Sequence, residues 1–229
     1  MHQENEAQPG LARRIAALVE AIRIPLLVIL AVVIAGVIGY FVYAQTSSAA
    51  RERAAMLVEQ VDELFGDWQS EQDAQKKSKL EADLRARLET MSRDRGYTGL
   101  RSLFVQGQLA AEKGEKQAAF DAFSALAASS EGGYLGVEGL VNAAVYAEDL
   151  GQSDKALELY RRLIEKHASS PHAPHAYFAA GRLLEVKGDF TQAVATYTEL
   201  RSKHPSGSWT SLAVNRIIAL QASGKAGKE

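Results

Sequence analysis

The sequence predicts an all-α protein: one membrane-spanning helix followed by a solenoid of stacked helical hairpins. Three observations predict it. One uncharged apolar run near the N-terminus is long enough to cross a bilayer. The rest of the chain carries apolar residues at helical spacing. And one pattern is written three times at a fixed interval, in EKGEKQAAFDAF (112–123), EDLGQSDKALELY (148–160) and EVKGDFTQAVATY (185–197). Internal repetition at such a period is the mark of stacked supersecondary units.

The apolar run is IPLLVILAVVIAGVIGYFVYA, residues 24–44, and residues 45–50 are uncharged as well. As a helix, the run reaches roughly 31 Å, about one hydrocarbon core. Tyr40, Phe41 and Tyr43 cluster at one end, as in an interfacial aromatic belt. Pro25 lies near the other end, where a first-turn position tolerates its missing N–H. Val42-Tyr43-Ala44 fits a cleavage rule. The run is nonetheless longer than a signal-peptide core, and about 23 residues precede it, so it reads as an uncleaved anchor. Arg13, Arg14 and Arg23 precede it and Arg51 and Arg53 follow, a bias that puts the N-terminus inside. Residues 1–23 are then a cytoplasmic tail, disordered over 1–10 with a short amphipathic helix over 11–24. Ala31, Ala35 and Gly39 fall four apart and form a candidate face for helix packing in the membrane.

After the span, residues 45–99 read as linking helices. Ala54, Leu57, Val61, Leu64 and Phe65 make one apolar stripe; Leu80, Leu84, Leu88 and Met91 make another. Ala82 lies 37 before Ala119, which admits a degenerate earlier repeat. In the repeats proper, over 100–205, Gly114, Gly151 and Gly188 are 37 apart. Ala119, Ala156 and Ala193 follow each by five residues, Phe123, Tyr160 and Tyr197 by nine, and Leu126, Leu163 and Leu200 by twelve. Gly107, Ala144 and Gly181 precede each by seven. The small residue admits a close helix neighbour and the glycine ends the first helix as its C′ residue. The Ala–aromatic–Leu triplet lies on one face of the second. The helix pairs fall at about 100–113 with 116–128, 137–150 with 154–167, and 173–187 with 190–203. WTSLAVNRIIAL (209–220) supplies a capping helix within 206–222, and residues 223–229 read as a disordered tail. Gly136 and Gly139 read as loosening the start of a helix.

These columns resemble the tetratricopeptide repeat, with a small residue at the eighth position, Ala at the twentieth, an aromatic at the twenty-fourth and Pro at the thirty-second. Tyr177, Gly181, Leu184, Ala193, Tyr197 and Pro205 match best; Ala168 and Glu131 stand where Pro is common. The family period is 34, so three extra residues per unit sit between hairpins. The resemblance implies a protein-binding concave face built from the second, fifth, ninth and twelfth positions of the first helices. The candidate groove residues are Phe104, Gln108, Val141, Val145, Glu148, Phe178, Arg182 and Glu185, with Ala111 completing the twelfth column. An alternative is that Phe104 and Phe178 are covered by a helix of the same chain from residues 47–93. Of the Lys and Asn set with which chaperone-cofactor repeats grip a C-terminal carboxylate, only Asn142 has a counterpart.

Composition narrows the function. With a net charge of −2, no basic face for nucleic acid is expected. The absence of cysteine excludes thiolate metal sites, disulfides and a cysteine-linked lipid anchor. His167, His172, His175 and His204 suggest a metal site, but His167 and His204 share one repeat position and no carboxylate is interleaved with them. No phosphate loop or nucleophile constellation is present, so the sequence predicts no enzyme, cofactor or small-molecule substrate. The architecture of short tail, single span and repeat domain resembles the ancillary subunit family of the SecYEG translocon. That resemblance implies a bacterial inner-membrane adaptor with a periplasmic repeat domain, whose partners are translocon subunits, periplasmic chaperones or secreted chains. The competing expectation is a cell-envelope assembly or division scaffold binding its partner through the same groove.

Overall fold

A computed structural model describes residues 9–130 and 132–225, with side chains at 25, 27–45, 47, 51–130 and 132–225. The side chains of the expected amphipathic helix over 11–24 lie outside that range, as do residues 1–8 and 226–229. Among the described residues every regular element is α-helical. The chain divides into two units, one up to Ala55 and one from Met56 onward.

Helix α1 begins at Pro9 in the first unit and ends at Ser70, in the second. Pro25 is therefore inside a helix rather than in its first turn, and it removes one N–H from the helical ladder. Leu27–Gln45 is long and apolar enough to cross a membrane, and none of it is buried in the protein. Ala31, Ala35 and Gly39 are all exposed, and nothing lies within 4 Å of where a Gly39 Cβ would be.

The second unit comprises the end of α1 and α2 (Ala74–Ser92), α3 (Tyr97–Glu112), α4 (Lys116–Ser129), α5 (Tyr134–Asp149), α6 (Ser153–Lys166), α7 (Ala173–Val186), α8 (Phe190–Lys203) and α9 (Ser208–Ala222). The end of α1 and α2 are joined by three residues, and Asp73 caps α2 by accepting from the Gln75 and Lys76 amides at 2.9 Å each. Val61, Phe65 and Trp68 of α1, Leu84, Leu88 and Met91 of α2, and Val105 and Leu109 of α3 form one buried cluster. This is an extra helical hairpin stacked on α3. It is out of the 37-residue register: Ala82 is exposed, and the buried positions of α2 are Leu84, Leu88 and Met91.

The three hairpins α3–α4, α5–α6 and α7–α8 repeat in detail. Ala119, Ala156 and Ala193 are fully buried, as are Leu126, Leu163 and Leu200. Gly114, Gly151 and Gly188 have φ of 73°, 73° and 78°, the left-handed conformation that glycine adopts without a Cβ penalty. Each closes its first helix with a six-to-one hydrogen bond: Glu115 N to Ala110 O, Gln152 N to Ala147 O and Asp189 N to Leu184 O, at 2.8–2.9 Å. A Cβ on Gly107 would sit 2.6 Å from the Phe123 ring, and one on Gly181 would overlap the Tyr197 ring. The small eighth position is thus a seat for the aromatic residue of the second helix. Gly136 and Gly139 also serve close approach rather than loosening α5. A Cβ on Gly139 would meet Ala127 N at 2.7 Å, and one on Gly136 would collide with the Ser130 carbonyl oxygen. Beyond Gly207, with φ of 122°, α9 buries Thr210, Ala213, Ile217 and Leu220 against the stack. It does not fray at residue 223: Gly224 has φ of 70° and Lys225 N donates to Leu220 O at 3.1 Å.

Candidate protein-binding face

The first helices α3, α5 and α7 present their fifth, ninth and twelfth positions along one face, and each named residue there is exposed or half-buried. Phe104 is half-buried, edge-on to Phe123 with centroids 6.1 Å apart, and Arg101 lies over its ring at 5.2 Å. Gln108 and Val141 are half-buried, and Val145 is exposed. Phe178 lies between Tyr197 at 5.8 Å and Trp209 at 5.4 Å. Its covering ring therefore comes from α9, not from residues 47–93.

Glu148, Arg182 and Glu185 are not independent charges. Glu148 accepts the Tyr160 hydroxyl at 2.9 Å and an Arg182 N–H. Glu185 accepts the Tyr197 hydroxyl at 2.7 Å and two N–H groups of Arg216, with Nε at 3.0 Å. The same Glu–Tyr–Arg bridge thus ties α5 to α7 and α7 to α9. Its carboxylate comes from the twelfth position of one first helix, and its guanidinium from the ninth position of the next. Burial alone raises the Glu185 carboxyl, but the Arg216 and Tyr197 hydrogen bonds hold it below the usual carboxylate range. Burial, together with the neighbouring carboxylate, pushes the Tyr160 and Tyr197 phenols well above their ordinary value.

Sequence reasoning missed α9 as part of this face. The interval from Glu148 to Arg182 is 34 residues, and 34 also separates Arg182 from Arg216 and His175 from Trp209. Helix α9 therefore occupies the place of a further first helix, at an interval of 34 rather than 37. Searching at 34 as well as 37 would have found it. The second positions of α3 and α5 are engaged as well. Arg101 is held by Asp62 of α1 at 2.9 Å, and Glu138 by His172 Nε2 at 2.9 Å, so a carboxylate does meet the histidine linker. His175 sits between the rings of Tyr160 at 5.7 Å and Trp209 at 4.8 Å, and its burial lowers the imidazole pKa. These side chains hold one another. The face they make is a lined surface of apolar side chains and satisfied ion pairs.

Residues 141–208 match the tetratricopeptide repeat family model. A TPR repeat-containing protein of Treponema pallidum (strain Nichols) is 35% identical to this chain over 83 residues, 36% of this chain and 34% of that protein. The match thus spans about a third of that relative's length. Repeats of this kind are scaffolds for protein–protein interaction. Residues 141–208 are thus similar to tetratricopeptide repeats, and they lie in a stack of helical hairpins.

Proposed function

We propose that this protein is a membrane-anchored adaptor that binds other proteins on the face formed by α3, α5, α7 and α9. The observation that carries this reading is the face itself: four first-helix positions in register, lined by Phe104, Val141, Val145, Phe178 and Trp209 between paired charges. The span Leu27–Gln45 anchors the chain in a bacterial inner membrane, with the N-terminus cytoplasmic and the repeats periplasmic. In the finer form, the adaptor is an ancillary translocon-associated subunit that holds its repeat face near emerging chains and periplasmic chaperones. Ala31, Ala35 and Gly39 then pack against a translocon helix. The protein acts by binding and is not an enzyme.

In-membrane photo-crosslinking tests this, with one probe at Phe178 and another at Ala35. Capture of a translocon subunit at Ala35, and of a chaperone or secreted chains at Phe178, is the expected result. Capture of envelope-assembly or division proteins at Phe178, with only lipid or a second copy at Ala35, would replace the translocon role by the scaffold role.

A further inference from the structure

The two Glu–Tyr–Arg bridges have a third counterpart that is not a bridge. Stepping back 37 residues from Glu148, Tyr160 and Arg182 leads to Ala111, Phe123 and Val145. The register is the same and the three side chains are all apolar. At the α5–α7 and α7–α9 junctions, then, the face has an ionic floor. At the α3–α5 junction it has an apolar one, made by Phe104, Ala111, Val141 and Val145, with Val145 36% exposed. Tyr97 and Tyr134, themselves 37 apart, stand 63% and 75% exposed at the N-termini of α3 and α5.

We propose that the α3–α5 junction is the seat for the partner, and that the seated segment is an uncharged apolar stretch of polypeptide. This inference rests on the protein-binding reading of the face and names the chemistry of what it binds. The charges around the seat are engaged: Arg101 by Asp62, Glu138 by His172, and Glu148 by Arg182 with Tyr160. An acidic segment meets no guanidinium that is not already holding a carboxylate. A basic segment meets Glu138 already hydrogen-bonded to the His172 ring and Glu148 already paired with Arg182. Either would desolvate its charge against valine, alanine and phenylalanine and would have to compete for groups that already have partners. An apolar side chain loses nothing on the α3–α5 floor and gains buried area. Over the other two junctions, the same side chain would strip water from an ion pair, which is unfavourable. Partner chemistry and seat position are therefore fixed together.

The test uses the full chain in lipid nanodiscs, with empty nanodiscs as the blank. Fluorescent peptides of about a dozen residues, long enough to cross the face, are made in uncharged apolar, lysine-bearing and aspartate-bearing versions. Photo-crosslinkers are placed at Gln108, beside the apolar junction, and at Leu212 on α9. The apolar peptide is expected to label Gln108 over Leu212 and to bind more tightly than either charged one. The triple variant Ala111→Glu, Phe123→Tyr, Val145→Arg writes the bridge of the other junctions into this one and should weaken the apolar peptide by about tenfold or more. The reciprocal variant Glu148→Ala, Tyr160→Phe, Arg182→Val should open a second apolar seat and raise the amount of that peptide bound. Circular dichroism of both variants checks that the helices persist. If a charged peptide labels Gln108 as well as the apolar one, or if neither variant changes binding, the seat assignment is wrong while the protein-binding face stands. If no peptide labels either probe, the face reading falls together with it.

Discussion

Replacing Tyr197 by Phe removes a single oxygen from the best-buried of the bridges. Tyr197 is fully buried, and the Glu185 side chain it donates to is 8% exposed. A hydrogen bond to a charged acceptor contributes about 1.5–3 kcal/mol. Arg216 still supplies two N–H groups to the carboxylate after the change, so no charge is orphaned and the low end applies, about 1.5 kcal/mol. Tyr160→Phe is the internal control. Its acceptor Glu148 is 18% exposed, so water can replace the lost donor and the expected cost is about 1 kcal/mol or less. At the size of this protein, 1.5 kcal/mol lowers the melting temperature by about 3–6 °C. Thermal unfolding of the full chain in detergent, followed by circular dichroism and by tryptophan fluorescence, measures both variants. Trp209 reports on the affected junction directly, since it lies against Phe178. A Tyr197→Phe protein that melts at or above the parent, or a larger loss at Tyr160, would refute the assignment of the bridges as stabilising ties graded by burial.

Three further outcomes are expected. Gly136→Ala places a Cβ on the Ser130 carbonyl, a backbone atom that cannot rotate aside. The strain outweighs the roughly 1 kcal/mol gained in helix propensity, and a net loss of about 2 kcal/mol should appear as a lower urea midpoint. His175 is held neutral by burial, facing Tyr160, Trp209, Glu148, His172 and Arg182. Its folded pKa is below its unfolded one, so the unfolded state binds the extra proton. Stability should fall as pH drops below about 6.5, and His175→Phe, which keeps a ring between Tyr160 and Trp209, should flatten that slope in urea titrations. Glu185 has linkage of the same sign, in a more acidic window. Its lowered pKa gives stability that is present above the ordinary carboxylate value and is lost only as pH falls through the lowered one. Arg216→Ala should move that acid loss to higher pH, read by circular dichroism across an acid titration.

The hairpin stack was legible because its columns are steric. Gly107 and Gly181 are small because a ring lies on them, and Gly114, Gly151 and Gly188 must have positive φ. Such constraints fall on single positions and recur at one interval. The extra hairpin before α3 was only half legible. Its apolar stripes are in the sequence, but α2 is 19 residues long against 14 for α4, so the 37-residue column through Ala82 misses the packed face. At the candidate face, all eight expected groove residues are exposed or half-buried on α3, α5 and α7. What they do there was not legible. The partners that decide whether Glu148 or Glu185 is free are 12 to 34 residues away on other helices, and no local pattern links Glu185 to Arg216. The change of interval from 37 to 34 also hid α9 among what looked like a simple terminal cap.

The junctions of this array differ by a swap of three side chains, while the backbone, the small seat and the glycine stop stay as they are. Face chemistry is therefore separable from folding. A lineage could turn an ionic junction into an apolar one, or back, through a few substitutions on the face and one buried hydroxyl, leaving alanine, leucine and glycine columns untouched. Drift in what the protein recognises is then cheap compared with drift in its shape. Related arrays are expected to keep the columns and vary the junctions, so that their order along the solenoid spells the preference of each protein.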